Sequence, residues 1–282
     1  MRILVYGMQS SGASLVTYFL AQKPNTLAII DLWNNYEAPC LEDVHASDII
    51  LKCVVTTKVP LETHILNFNP DKKVLVLRHP YFNYVSLKNK PWSNESGRME
   101  EKFKVLETVL NKRDQFDLVI MYEDFLFDRR KVLKEIQSIG YKSTKDYFKF
   151  NRSKGEILNY NLRHSEWCNE FYQSKWGFGQ IVFQKTGHMM LKAFRYISLK
   201  EKTRVRNLCP SLCGYYKNTF HWDSHKIFIY ILSLISQAIQ AIKPYFRHYS
   251  SKFKYYILHP SKVLDFAKRK SAMYFKRNDK RS

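Results

Sequence analysis

Long apolar runs are missing from this 282-residue chain. No stretch reaches the roughly 18 clean apolar residues that a membrane-spanning helix needs. Cysteine is sparse and odd in number, with five residues at Cys40, Cys53, Cys168, Cys209 and Cys213. That argues against a disulfide framework and for a reducing compartment. The chain opens on Arg2-Ile3-Leu4-Val5-Tyr6, which reads as a strand. A secretory leader would be a charged segment followed by an apolar core, so cytoplasmic residence is expected. Internal repeats and low-complexity tracts are also missing, which excludes solenoid and fibrous architectures. Acidic residues are few, 25 against 46 Lys and Arg, leaving a net charge of +21. Such an excess implies anionic partners: phosphate, sulfate, nucleic acid or acidic lipid. Nothing resembles a nucleic-acid-binding module, so nucleic acid is not expected among them.

What is present is a globular composition, 45% hydrophobic and 25% charged, in a chain long enough for one large domain plus an appendage. The positive charge is uneven. Residues 226–282 hold 13 Lys or Arg against 2 Asp, about half of the net charge in a fifth of the chain. Short apolar runs at 3–6, 27–32, 49–55, 74–77 and 118–121 read as strands. Helical spacing follows at 14–21, 99–110 and 132–139. Continuous apolar strands alternating with helices predict an α/β fold, a parallel sheet covered by helices on both faces. Ligands in such folds sit at the carboxyl ends of the strands. Residues 141–185 show few clear periods. The expected division is an α/β domain over 1–220 and a basic, aromatic-rich, mainly helical extension over 221–282.

The first strand runs into Gly7-Met8-Gln9-Ser10-Ser11-Gly12-Ala13-Ser14 and then a helix. This strand, glycine-bounded loop and helix N-terminus let successive backbone N–H groups face an anion, helped by the hydroxyls of Ser11 and Ser14. The spacing is that of a P-loop, with Ala13 where a nucleoside triphosphatase places lysine. Without that cation at the β- and γ-phosphates, ATP hydrolysis is disfavoured. A second element lies at 74–77, which ends in Arg78-His79-Pro80 with Ser86 eight residues after Arg78. An arginine at a strand's carboxyl end can grip a phosphate bidentately.

These segments resemble the PAPS-dependent sulfotransferases. The loop at 7–14 is similar to their 5′-phosphosulfate loop. Leu77-Arg78-His79-Pro80 with Ser86 resembles their 3′-phosphate motif. Leu118-Val119-Ile120-Met121-Tyr122-Glu123-Asp124-Phe125 resembles their late strand and Tyr-Glu-Asp turn. The resemblance covers about residues 1–140 and implies a P-loop-like nucleotide-binding architecture with PAPS as co-substrate and no metal. It implies that Ser10, Ser11, Gly12, Ala13 and Ser14 hold the 5′-phosphosulfate. Arg78 and Ser86 would hold the 3′-phosphate, with Tyr122 near the adenine. Arg152-Ser153-Lys154-Gly155 is loosely similar to the family's basic Arg-Lys-Gly segment, which would add Arg152 to the 3′-phosphate contacts. The acceptor would be a hydroxyl or amine on a carbohydrate, lipid-linked glycan or small molecule.

Two positions depart from the family. Ser10 stands where Lys or Arg is usual and Ala13 where Thr is usual, so another cation, such as Lys58, Arg152 or Lys154, has to substitute if turnover is retained. Sulfuryl transfer also needs a proton acceptor. Asp31 and Glu37 stand where carboxylate-using members carry theirs, with Glu42, His64 and His79 as further candidates. A different P-loop transferase or kinase, or a non-catalytic membrane-associated protein on a degenerate P-loop fold, remain rival readings. Cys209, Cys213, His221 and His225 have zinc-ligand types, but the spacing is short and scattered thiols and imidazoles fit better. The apolar segment 227–242 with its basic, aromatic tail suits either a core helix or the surface of an anionic membrane.

Overall fold

A computed structural model describes residues 1–29, 38, 46–152, 195–220 and 226–235. Five strands form one parallel sheet: β1 (Arg2–Gly7), β2 (Thr26–Ile29), β3 (Asp48–Val54), β4 (Lys72–Leu77) and β5 (Leu118–Met121). Their order is β2-β3-β1-β4-β5. Consecutive residues Ile3, Leu4, Val5 and Tyr6 are all fully buried. Neighbouring side chains on a strand point to opposite faces, so both faces of the sheet are covered at its centre. Each such side chain contributes about 1.5–3 kcal/mol on burial, which is why the central strand is an unbroken apolar run.

Helix α1 (Ala13–Leu20) packs on β1, β3 and β4. Its residues are buried almost all round, because a second aromatic layer closes over it. Phe19 meets Phe148 at 4.4 Å and Phe125 at 5.6 Å between ring centres. The other helices in the first half are α2 (Leu61–Phe68), α3 (Pro80–Lys88), α4 (Met99–Asn111), α5 (Tyr122–Phe127) and α6 (Arg129–Ser138). The Tyr-Glu-Asp segment expected as a turn is the first turn of α5.

From residue 195 the described chain packs on this body. Helices α7 (Leu199–Leu208) and α8 (Pro210–Thr219) pack on α4, and α7 also on α3. Ser198 and Glu201 form a capping box on α7, a reciprocal arrangement that satisfies two orphan donors of the first turn. Glu201 also pairs with Lys88, and Glu100 with Arg204. The N-terminus of α8 is held by Glu107, whose carboxylate accepts from the amides of Ser211 (2.6 Å) and Leu212 (3.0 Å). Negative charge there also complements the helix dipole.

The chain divides into two compact units, Met1–Tyr230 and Ile231–Ser282. Residues 226–235 are helical. Among the described residues no helix is long and apolar enough to cross a membrane.

Candidate functional site

The strand order fixes where a ligand can sit. From β1 the chain moves to the β2–β3 side of the sheet, and from β3 it crosses to β4 on β1's other flank. The loops leaving β1 and β4 therefore diverge, the arrangement in which open α/β sheets place a ligand at the strands' carboxyl ends. Register sharpens the placement. Gly7 pairs with Val76 and Leu77 with Met121, so the loop after Gly7, Arg78 and Tyr122 all emerge at one edge.

The loop folds back on itself through Ser11 N–H to Met8 O at 3.0 Å. Ser10 and Gly12 both take left-handed backbone angles, φ 64° and 94°. Gly12 is the N-cap of α1 and brings no side chain to the first turn. The amides of Leu15 and Val16 donate to its carbonyl at 2.9 and 3.1 Å, which leaves those of Ala13 and Ser14 for an outside acceptor. The Ser11 hydroxyl is buried with no hydrogen-bond partner. Behind the loop, Arg78 Nη1 donates to Ser10 O at 3.0 Å. Asn83, turned with its amino group toward the loop, donates to the carbonyls of Gln9 and Ser10 at 3.1 Å each. From the far side, Lys102 Nζ donates to Gln9 Oε1 at 2.7 Å.

Tyr122 packs edge-on against Gly12, and the Arg78 guanidinium lies 5.0 Å from the centre of its ring. Arg195 joins this pair. Burial, and then the neighbouring charge of Arg78, hold its guanidinium below the usual arginine range, and its Nε is buried without a partner. Two arginines close enough to repel, beside an aromatic ring and a loop of open amides, form a site that an anion would relax. Glu123 lies within electrostatic reach of Arg78. Fully buried, it accepts from His79 N–H at 3.0 Å and from the Tyr216 hydroxyl at 3.1 Å. Burial pushes its carboxyl up to about 7, against the opposing pull of Arg78 and these donors. The His79 imidazole is held down to about 3 by burial and by the charges of Arg78 and Lys202, so it is neutral at physiological pH. A cleft of about 320 Å³ opens at the start of α3, lined by His79, Tyr81, Phe82, Lys202 and Tyr230 among others.

Of the residues expected from sequence, the structure brings the 10–14 loop, Arg78 and Tyr122 together. Ser86 is buried in the second turn of α3. Arg152 is not part of this group. Its Nη1 donates to the carbonyls of Ala21, Lys23 and Thr26, which pins the turn from α1 to β2 at the opposite edge of the sheet. Asp31, Glu37 and Glu42 lie outside the described residues, as do Lys154, His221 and His225. His64 is buried and accepts from the Ala38 amide through Nδ1 at 3.2 Å. Among the described residues no group of three or more His, Cys, Asp or Glu could hold a metal ion. Three contributors escaped sequence reading, Asn83, Lys102 and Arg195, and Glu123 stood in the Tyr-Glu-Asp segment without an assigned role.

No protein-family model, no curated protein and no solved structure matches this chain.

Proposed function

We propose that this protein is a PAPS-dependent sulfotransferase on a P-loop-like fold. The observation that carries the reading is the grouping of Arg78 with Arg195 beside Tyr122, next to the loop at 7–14: the arginines suit one phosphate and the loop another. A nucleotide bearing phosphates at both its 5′ and 3′ positions matches that pair of sites, and Tyr122 would lie near its base. ATP fits less well, because Ala13 gives no cation for the γ-phosphate. In the transfer, an acceptor hydroxyl or amine attacks sulfur, the bond from sulfur to the bridging phosphate oxygen breaks, and adenosine 3′,5′-bisphosphate leaves. The acceptor's proton passes to a carboxylate, Asp31 or Glu37. The acceptor is a small molecule or a glycan. Cytoplasmic residence accords with five scattered thiols, of which Cys53, Cys209 and Cys213 are free.

Adenosine 3′,5′-bisphosphate should therefore stabilise the protein more than ATP or ADP does. At about 100 times its dissociation constant it should add roughly 2.7 kcal/mol. Thermal unfolding with each nucleotide tests this. Arg78→Ala should lose the shift while retaining cooperative unfolding. An equal or larger shift with ATP would favour a kinase. Turnover of PAPS then separates an active enzyme from a protein that only binds the nucleotide.

The tail supplies a second contact, with anionic membrane. In residues 226–235, Ile227, Phe228, Ile231, Leu232 and Ile235 are 37–58% exposed, and the segment 226–282 carries the excess of cations noted above. Each Lys or Arg at an anionic surface contributes about 1 kcal/mol, decaying within a Debye length of about 10 Å at 0.1 M salt. Full-length protein should sediment with acidic liposomes at low salt, stay free of neutral ones, and release as salt rises. Replacing Lys268, Arg269 and Lys270 by Glu should weaken this by about a hundredfold or more at low salt. Indifference to acidic liposomes at low salt would remove the membrane from the reading.

A further inference from the structure

Lys102 sits in the first turn of α4 with none of its surface exposed. Its ammonium gives three hydrogen bonds: to Gln9 Oε1 at 2.7 Å, to Ser93 O at 2.7 Å and to Ser96 Oγ at 3.0 Å. Three donors meet three acceptors, and all three acceptors are neutral. Ser96 O in turn accepts from Thr56 Oγ1 at 2.6 Å and from Thr57 N–H at 3.2 Å. One buried cation thus ties together the loop after β1, the segment after β3 and the turn that leads into α4. The next residue after Gln9 is Ser10, whose carbonyl also receives Arg78.

Burying an ammonium against neutral oxygens is costly. A pin of purely structural purpose would be satisfied by a neutral amide or by apolar packing. A charge at this place gains its return when an anion comes to the adjoining loop, where the cation usual at Ser10 is missing. We propose that Lys102 is the positioning residue of the anion loop, acting through Gln9 to set the loop's shape and to supply the positive potential that Ser10 and Ala13 do not. This inference rests on the reading of residues 7–14 as a phosphate-binding loop.

The consequence is a pH dependence at that loop. Burial brings the Lys102 ammonium down to about 8, with Glu95 pulling the other way. Glu95 is the charged group that bears on it; Gln9, Ser93, Ser96, Thr56 and Thr57 are neutral. Below pH 8 the ammonium is charged and the loop is primed. As pH rises through 8 the charge is lost and affinity falls, while a bound anion raises the lysine's own pKa by linkage. The second ionisation of a phosphate is largely complete by pH 7.5, and Glu123, raised to about 7, is mostly ionised there too, so the comparison with Lys102→Met over 7.5 to 9.5 separates the lysine's share of the response.

The test is calorimetric titration with adenosine 3′,5′-bisphosphate at pH 7.5 and 9.5. Wild-type protein should lose about tenfold in affinity across that interval. Lys102→Met should bind weakly and equally at both values, and adding Ser10→Lys to it should restore affinity. Should Lys102→Met fail to fold, Gln9→Met leaves the lysine in place and severs its link, and should also weaken binding and blunt the pH response. A wild-type affinity that does not change with pH, or a Lys102→Met variant that keeps the wild-type slope, would overturn the inference and leave the nucleotide reading standing. Wild-type protein that binds no bisphosphate at either pH would overturn both.

Discussion

Gly12→Ala should cost the protein about 3 kcal/mol or more and take nucleotide binding with it. Two penalties combine. Gly12 has φ +94°, a region where an L-residue pays about 1–2 kcal/mol. A Cβ there would also stand 2.2 Å from Cδ2 and 2.9 Å from Cε2 of the Tyr122 ring. That ring is buried, and the Arg78 guanidinium lies against it, so it cannot withdraw without carrying Arg78 away from Ser10. Overpacking of this kind adds about 1–3 kcal/mol. In a domain of this size 3 kcal/mol is about 6–12 °C in Tm. Gly140 provides the control. It has φ +85°, but the nearest atom to its added Cβ is Met1 Cε at 3.8 Å. Gly140→Ala should therefore show the backbone penalty alone and leave nucleotide affinity unchanged. Equal losses in the two variants would mean that Tyr122 yields freely and does not brace the loop. Partial rescue of Gly12→Ala by Tyr122→Ala would locate the conflict in the ring.

The parts of this site that could be read from sequence are those held by local pattern. β1, β4 and β5 are continuous apolar runs because the sheet is covered on both faces, and their ends mark the loop, Arg78 and Tyr122. Strand register then brings these together with no further information. Lys102 left a fainter trace. It shares a helical stripe with Phe103, Leu106 and Val109, all buried, and a lysine on an apolar stripe is a signal, though beside Glu100, Glu101 and Lys104 it passes for part of a solvated face. Arg195 left none. It stands in no motif and lies far from Tyr122 in sequence. Helices α7 and α8 were illegible for a related reason: each buries a narrow stripe, Val205 in one and Leu212 with Tyr216 in the other, and otherwise presents polar residues. The carboxylate of Glu123 lay in plain view within the Tyr-Glu-Asp segment. Its partner Tyr216 is 93 residues away, and its burial follows from that distant packing.

Glu123 should make the protein less stable as pH rises toward 7, and Glu123→Gln should abolish the effect. The folded-state carboxyl is raised from 4.5 to about 7, with burial the largest cause. Below pH 4.5 the group is protonated whether the chain is folded or not, and it contributes no pH dependence. Between 4.5 and 7 the unfolded chain has released the proton while the folded chain still holds it. Stability then falls with each step in pH, because the unfolded state binds fewer protons. Above 7 both states are ionised and the full penalty stands, roughly 3 kcal/mol for a shift of this size. Glutamine keeps the shape of the protonated acid. Its carbonyl can accept from His79 N–H, and its amide can donate to the Tyr216 oxygen. Urea unfolding of both proteins from pH 4.5 to 8.5 should give matching stabilities at the acid end and a variant more stable by about 2–3 kcal/mol at pH 8. All other carboxylates are common to the two proteins and cancel in the difference. A variant that is less stable by the same amount at every pH would instead mean that Glu123 is ionised throughout and pairs with Arg78.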